Sequence, residues 1–479
     1  MDKNKLKIAL ISLQQDAEKV PPVGLVYLAT YLSERIGIKK ENIKIFDKNY
    51  FDVEKEVDYF KPNIIGISAM TIDYQKAVSF ALQIKEKLDI PIIIGGVHIS
   101  TLPESFNQCF DVGVIGEGEH TLGELIELYL KESKFSKKKL EKIKGIIYYD
   151  SYKIKNTPVR PPINLDSLPL PNFKFVHPDY FRKQEVPGVN SVAIKGNLIS
   201  SRGCPYKCVF CSTSRFWGKM RMHSPKYTAR LAEKLVKEHG VDYLGIIDDL
   251  FTISPQRLRE IKKEFEKRGI LNKIKWIGCT VRANLMNDEL CREMKKLKIK
   301  IINFGFESGS EKILKYLKAG SVSVEMNKNA ILLGKKYNFN VYGSLMYASP
   351  SETIEDMKKT NEFIDFCIKN GASNIWSFVA TPFPATPFWQ IALDRGTVSN
   401  KMDFSLLDHH ISKRPLLLDS EISFKEFKKV FLNGRKKLRK LRIKLIKNFL
   451  LKNPVRTIEL VFKEPKYYIN RIMKQLFKQ

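Results

Sequence analysis

No apolar run in the chain approaches the roughly 18 residues that span a bilayer, which excludes a membrane-crossing helix. The opening MDKNKLKIALISL has a basic start, but its apolar run is too short for a signal peptide and reads as a first strand. Cysteine is scarce, with 7 in 479 residues. Three are clustered and four scattered, which excludes a disulfide framework and fits a reducing cytoplasm. Histidine is as rare, and the first is His98. No acid–base pair stands out, so no catalytic acid or base is assigned. Acidic residues are in deficit: 52 Asp+Glu face 82 Lys+Arg, a formal charge of +30. Such an excess either attracts polyanions or is a Lys-rich composition that speaks only to solubility. The rest is ordinary: 43% hydrophobic and 28% charged residues fit a globular chain of two or three domains.

The chemistry is concentrated at 200–217, SSRGCPYKCVFCSTSRFW. Cys204, Cys208 and Cys211 form a C-x3-C-x2-C pattern behind an apolar, strand-like run and a glycine. Three thiolates packed this closely supply three corners of a [4Fe-4S] cubane and leave its fourth iron to a ligand that is not protein. Structural zinc is the rival, but it asks for four ligands, usually in paired C-x2-C units. His223 is the candidate fourth, well down the chain. Three unligated thiols are the third reading.

Strand and helix alternate through 1–150, with strands expected at 7–12, 43–47, 64–68, 92–95 and 112–115 and helices at 24–35, 74–88 and 121–130. This is the pattern of a doubly wound parallel sheet in an α/β protein, whose ligands lie at the carboxyl ends of the strands. Ser68, Gly95-Gly96 and Gly116-Glu117 stand at such ends; glycines there are also ordinary turn chemistry. Residues 151–194 are proline-rich and read as an extended linker, neither helix nor central strand. A second alternation fills 195–390, with strands near 194–200, 243–247, 274–279, 301–306, 341–346 and 375–378. Six strand–helix units predict a partial (β/α)6 barrel with its chemistry at the carboxyl ends of the strands.

The run CPYKCVFCSTSRFWG, followed by RMHSP, IIDDLF, CTVRANLM and GFESGS, resembles the radical S-adenosylmethionine (SAM) enzymes, and with the preceding half it resembles their cobalamin-binding (class B) branch. That resemblance covers about residues 5–390. It implies a Rossmann-like cobalamin domain, a radical SAM barrel, and three cofactors: a [4Fe-4S] cluster on Cys204, Cys208 and Cys211, SAM, and cobalamin. It implies that Ser68, Gly95 and Gly96 accommodate the cobalamin tail, with Gly116 and Glu117 beside them. Asp248 and Asp249 would hold the methionyl ammonium of SAM. Glu307 and Ser308 or Ser310 would meet its ribose or amino-acid part, Phe210 would place its flanking backbone against the adenine, and Arg282 would bind the carboxylate. Each has a structural alternative: a helix cap for the carboxylates and serines, a salt bridge for Arg282, packing for Phe210. Cys279 is expected beside Arg282 at the barrel mouth. GSLMYASPSET at 343–353 resembles the family's fifth-strand motif, with Ala348 where Gly is common. The loop 14–20 lacks the His that ligates cobalt in many cobalamin domains, so cobalt has no protein ligand below or is covered from 70–74.

By the same resemblance the chain generates a 5'-deoxyadenosyl radical, takes hydrogen from an unactivated carbon and transfers a methyl group from methylcobalamin. An electron donor such as flavodoxin or ferredoxin is implied. The alternatives are an oxidative cyclisation like that of the anaerobic magnesium-protoporphyrin ester cyclases, and a non-enzymatic iron–sulfur redox sensor. Residues 391–479 form a basic helical region: 421–479 carry 18 Lys+Arg against 4 Asp+Glu, a net of +14. Apolar residues recur there at helical spacing, at Val430, Phe431, Leu438, Leu441, Leu445 and Phe449. One reading is peripheral contact with an anionic membrane and a lipid-like substrate; the other is a helix packed on the barrel with a solvated Lys face. No aromatics are spaced to stack bases, so nucleic acid is not expected as a partner.

Overall fold

The computed structural model describes residues 2–15, 19–186, 191–407 and 413–452, with side chains to residue 443. Its first sheet contains β1 (Ile8–Ser12), β2 (Ile43–Asp47), β3 (Ile64–Ser68), β4 (Ile92–Gly95), β5 (Val112–Val114), β6 (Ile146–Asp150) and β7 (Lys153–Asn156), in the order β2-β1-β3-β4-β5-β6-β7. The five expected strands all form and run parallel. Their segments are nearly continuous Ile, Leu and Val because helices cover both faces, so both sides of the pleat are buried. Two strands were not anticipated: β6 and β7 extend the edge antiparallel. An antiparallel partner needs only a short turn, and the turn at 151–152 has no strong sequence signal.

Residues 157–181 are less extended than their prolines suggested. They contain three single turns of 3-10 helix, Leu165–Ser167, Phe173–Phe175 and Pro178–Phe181. Side chains of both halves stitch this strap down. Thr30 Oγ1 accepts from Asn172 N at 2.9 Å, Tyr180 Oη donates to Asp47 at 2.7 Å, and Tyr227 Oη donates to the Pro169 carbonyl at 3.1 Å.

The second sheet is built from β8 (Lys183–Val186) and β9 (Ser191–Leu198). After the short hairpin β10 (Ser201–Arg202) with β11 (Arg221–Met222) come β12 (Tyr243–Ile246), β13 (Trp276–Val281), β14 (Ile299–Glu307), β15 (Asn340–Tyr347) and β16 (Asn374–Val379). Its order is β16-β15-β14-β13-β12-β9-β8, with β8 antiparallel and the other six parallel. The sheet curls but stays open between β8 and β16, a half-barrel. Tyr243, Ile301 and Tyr342 pack with Val186 and Ala193 against Trp276 and Trp376, a cluster apart from the main core.

The C-terminal helix Phe424–Lys452 lies on this half-barrel. Phe427, Phe431, Leu438 and Leu441 are buried, and Lys437 pairs with Asp365. Gly434 is the point of closest approach: a Cβ there would stand 2.8 Å from Tyr347 Oη, so the helix sits this near only because the residue is glycine. The apolar face that sequence offered to a membrane is, through Leu441, turned onto the barrel; the side chains of Leu445 and Phe449 lie outside the described residues. Among those residues no helix is long and apolar enough to cross a membrane.

Candidate functional site

The three-cysteine loop leaves the carboxyl end of β9 and is pinched at its base by the two-residue ladder of β10 with β11. Gly203 has φ +89°, and a Cβ there would lie 3.0 Å from Trp217 Cβ, so the sharp exit into Cys204 requires glycine. Arg215 donates to the carbonyls of Cys211 at 2.7 Å and Cys208 at 3.3 Å, and Val209 N donates to the Leu317 carbonyl at 3.1 Å. The loop is thus held from inside by its own arginine and from outside by the helix Glu311–Leu317. Cys208 is buried, Cys204 and Cys211 half-buried, and none is in a disulfide.

Among the described residues no three His, Cys, Asp or Glu side chains gather as they would around a single ion. A cubane takes one thiolate per iron, at separate corners, and three cysteines spread over the loop 204–211 fit that demand. His223 turns the other way: it is buried against the strap, 3.2 Å from Asp166 and stacked on Tyr227, and burial pushes its pKa down to about 4.

The sequence-derived SAM residues divide into two groups. Asp248 is buried and accepts from Ser200 N at 2.6 Å, Ser200 Oγ at 2.5 Å and Ser201 Oγ at 2.8 Å. Burial raises its carboxyl to about 6 against those bonds. Glu307 and Lys318 form a buried pair at 2.7 Å, and Ser308 is fully enclosed, 3.2 Å from Thr360 Oγ1. Asp248 ties the end of β12 to the residues after β9, and Glu307 and Ser308 tie the end of β14 to Lys318 and to the helix Ile354–Lys369 that carries Thr360. Asp249 instead is exposed, accepting from Thr213 at 3.1 Å, and Phe210 is half-buried under Lys318. Arg282 lies flat on the Tyr206 ring at 3.7 Å, donates to Ser321 Oγ at 2.6 Å and reaches Cys208 Sγ at 3.4 Å. Cys279 does not join it at the mouth; it is 1% exposed in the core. Ala348 has φ +61°, the left-handed region where a glycine would sit without strain.

In the other sheet, Ser68 pairs directly with Gly95 across β3 and β4. Gly96, at φ +103°, lies so close to Ala69 that a Cβ would stand 2.7 Å from its carbonyl oxygen. Ser100 donates to Gly96 O and accepts from Gly116 N, at 2.8 and 2.9 Å. Ser68, Gly95, Gly96 and Gly116 therefore share one shelf at the carboxyl edge. Ser68 is exposed, and a Cβ on Gly116 would meet nothing within 4 Å, so the chain leaves the shelf uncovered at both points. Glu117 leaves this group. It hydrogen-bonds Arg202, lies 3.0 Å from Arg221 and accepts from Ile163 N at 2.9 Å. Glu119 also receives Arg202. Glu119 is legible in sequence only as the end of the turn Gly116-Glu117-Gly118-Glu119, and Arg202, Arg215 and Tyr206 carry no reading there. The available signal was the doubled acid in GEGE and an arginine two residues before Cys204.

The comparisons agree with this layout. Residues 198–364 match the Radical SAM superfamily and residues 10–126 the B12 binding domain. An uncharacterized methyltransferase of Pyrococcus horikoshii is 31% identical over 381 residues, 78% of each chain. The chain belongs to the cobalamin-binding radical SAM family. Its cofactors are accordingly a [4Fe-4S] cluster, SAM and cobalamin, and it is an enzyme of the methyltransferase-containing branch. The family member from Cereibacter sphaeroides named anaerobic magnesium-protoporphyrin IX monomethyl ester cyclase is 27% identical, over 78% of this chain and 61% of its own. The solved radical SAM methyltransferase TsrM of Kitasatospora setae has the same fold at TM-score 0.65 and 18% identity, covering 88% of this chain and 82% of its own.

Proposed function

We propose that this enzyme cleaves SAM to a 5'-deoxyadenosyl radical at the cluster and transfers a methyl group from methylcobalamin to an unactivated carbon of a small-molecule or lipid-like substrate. When bound, the cofactors supply the radical and the methyl group; the chain's task is to orient them and exclude water. Cys204, Cys208 and Cys211 hold the cluster in this reading, and Ser68, Gly95, Gly96 and Gly116 form the bed of the cobalamin tail. Asp249 and Phe210, which keep accessible surface, meet SAM. Asp248, Glu307 and Ser308 serve from behind by holding the strand ends in place. The observation that carries the reading is the joining of a three-thiol loop to a glycine shelf on a second sheet through one shared arginine, Arg202.

The test is anaerobic reconstitution of the full chain with iron, sulfide, cobalamin and methyl-labelled SAM. Iron and cobalamin content, 5'-deoxyadenosine and labelled product are read on one sample. Label in product supports methyl transfer. A ring-closed, unlabelled product would favour the cyclisation reading, which the cyclase similarity supports. No 5'-deoxyadenosine under reductant would leave the redox-sensor reading. We further place the protein in the cytoplasm with a flavodoxin- or ferredoxin-like donor. Membrane contact, if made by the described part of the C-terminal helix, rests on its Lys and Arg face, and equal co-sedimentation with anionic and neutral vesicles removes it.

A further inference from the structure

An ion cluster lies where the root of the cysteine loop meets the chain just after β5. Arg202 leaves β10 two residues ahead of Cys204, Glu117 leaves the turn after β5, and Glu119 stands in the first turn of the helix Gly118–Glu132 that follows. One guanidinium nitrogen of Arg202 donates to Glu117 and the other to Glu119. All three side chains are less than a tenth exposed. The guanidinium also lies over the rings of Tyr27 and Trp217, 5.5 and 5.4 Å from their centroids. Burial alone would raise the Glu117 carboxyl, but Arg202, the Ile163 N–H and Arg221 together outweigh it and hold it below its ordinary value. So the charged form is the one the fold keeps.

Burying ions costs several kcal/mol apiece, and apolar residues of similar volume often join two surfaces at least as stably. What the planar fork of an arginine adds is direction: two donors at fixed spacing accept one arrangement of the two carboxylates. The arrangement here ties the turn beside the Gly116 shelf to the root of the cysteine loop. A shift of one sheet against the other would leave buried charges unpaired.

We propose that Arg202, Glu117 and Glu119 are positioning residues that set the distance and orientation of the cobalamin-side shelf relative to the cysteine loop, without ligating either cofactor. This rests on the functional reading above. The test uses the full chain reconstituted with cluster and cobalamin, in native form and as Arg202→Lys, Arg202→Gln and Glu119→Gln. The readout is the dipolar coupling between the cob(II)alamin and reduced-cluster spins in pulsed electron paramagnetic resonance, with iron and cobalamin content measured alongside. The expected result is unchanged content with a shifted or broadened coupling in the variants that fold. Arg202→Lys and Glu119→Gln, the milder changes, keep the measurement available if Arg202→Gln does not fold. Native coupling in all folded variants, with only a lowered melting temperature, overturns the proposal and leaves the function intact. Loss of cobalamin or iron from Glu119→Gln overturns it in favour of cofactor binding. A native chain that takes up no cluster or no cobalamin overturns both.

Discussion

Arg282 shows how a side chain's partners redefine a role that type alone suggests. Its cation lies 3.4 Å from Cys208 Sγ. A positive donor beside a cluster sulfur favours the reduced, more negative state. Arg282→Leu should therefore lower the cluster midpoint potential by roughly 60 mV, a tenfold change in a one-electron equilibrium. Arg282→Lys should fall between. A redox titration followed by electron paramagnetic resonance measures it, and an unmoved potential refutes the idea. Glu352 makes the second residue-scale case. It is 1% exposed, accepts from Ser349 N at 3.0 Å and leaves Oε1 without a partner among the described residues. Burial pushes its carboxyl up to about 8. Because the folded value exceeds the unfolded one, the group weakens the fold as pH rises from about 4.5 and does so in full above about 8. Glu352→Gln should thus gain stability relative to the native chain between pH 5 and 8, on the order of 3 kcal/mol, in paired urea titrations.

At the scale of elements, the C-terminal helix shows packing claiming, as far as Leu441, an apolar stripe that sequence left open to lipid or protein. Period alone cannot say whether an apolar stripe meets lipid or protein, because both bury it. Here Leu438 is 1% exposed, and Arg442 reaches back to the Ile375 carbonyl in the barrel wall. Leu438→Ala should destabilise the protein by about 2–5 kcal/mol through the cavity it leaves. Lys436→Gln, on the exposed face, should change it by less than about 0.5 kcal/mol. Equal effects of the two in denaturant melts would contradict the packed assignment. The β6–β7 edge teaches the same lesson, since antiparallel strands added beyond β5 depend on a partner edge that no local pattern reports.

For the whole molecule the formal charge is +30, and among the described residues most lysines are exposed or half-buried. Exposed like charges repel across distances that added salt screens, whereas buried pairs such as Arg202 with Glu119 are screened far less. Raising ionic strength from about 0.05 to about 0.3 M should therefore raise the thermal midpoint. A fall would mean that attractive surface pairs, such as Arg395 with Asp419, outweigh the general repulsion.

Local chemistry was enough to reveal the alternation of apolar strands with helices, the strand ends that carry glycine, and the three-cysteine loop. Each is written in neighbouring residues, in a period of two or 3.6, or in ligand spacing. Only the folded chain decided which polar groups at those strand ends remain accessible. Asp248 and Asp249 are adjacent and identical in type, yet one is locked under Ser200 and Ser201 while the other is exposed. Glu117, in a glycine-rich turn that sequence offered to cobalamin, is claimed by an arginine 85 positions away. The reason is that a side chain's function depends on its competing partners, and buried ionic partners come from distant segments whose approach is set by the packing of two sheets.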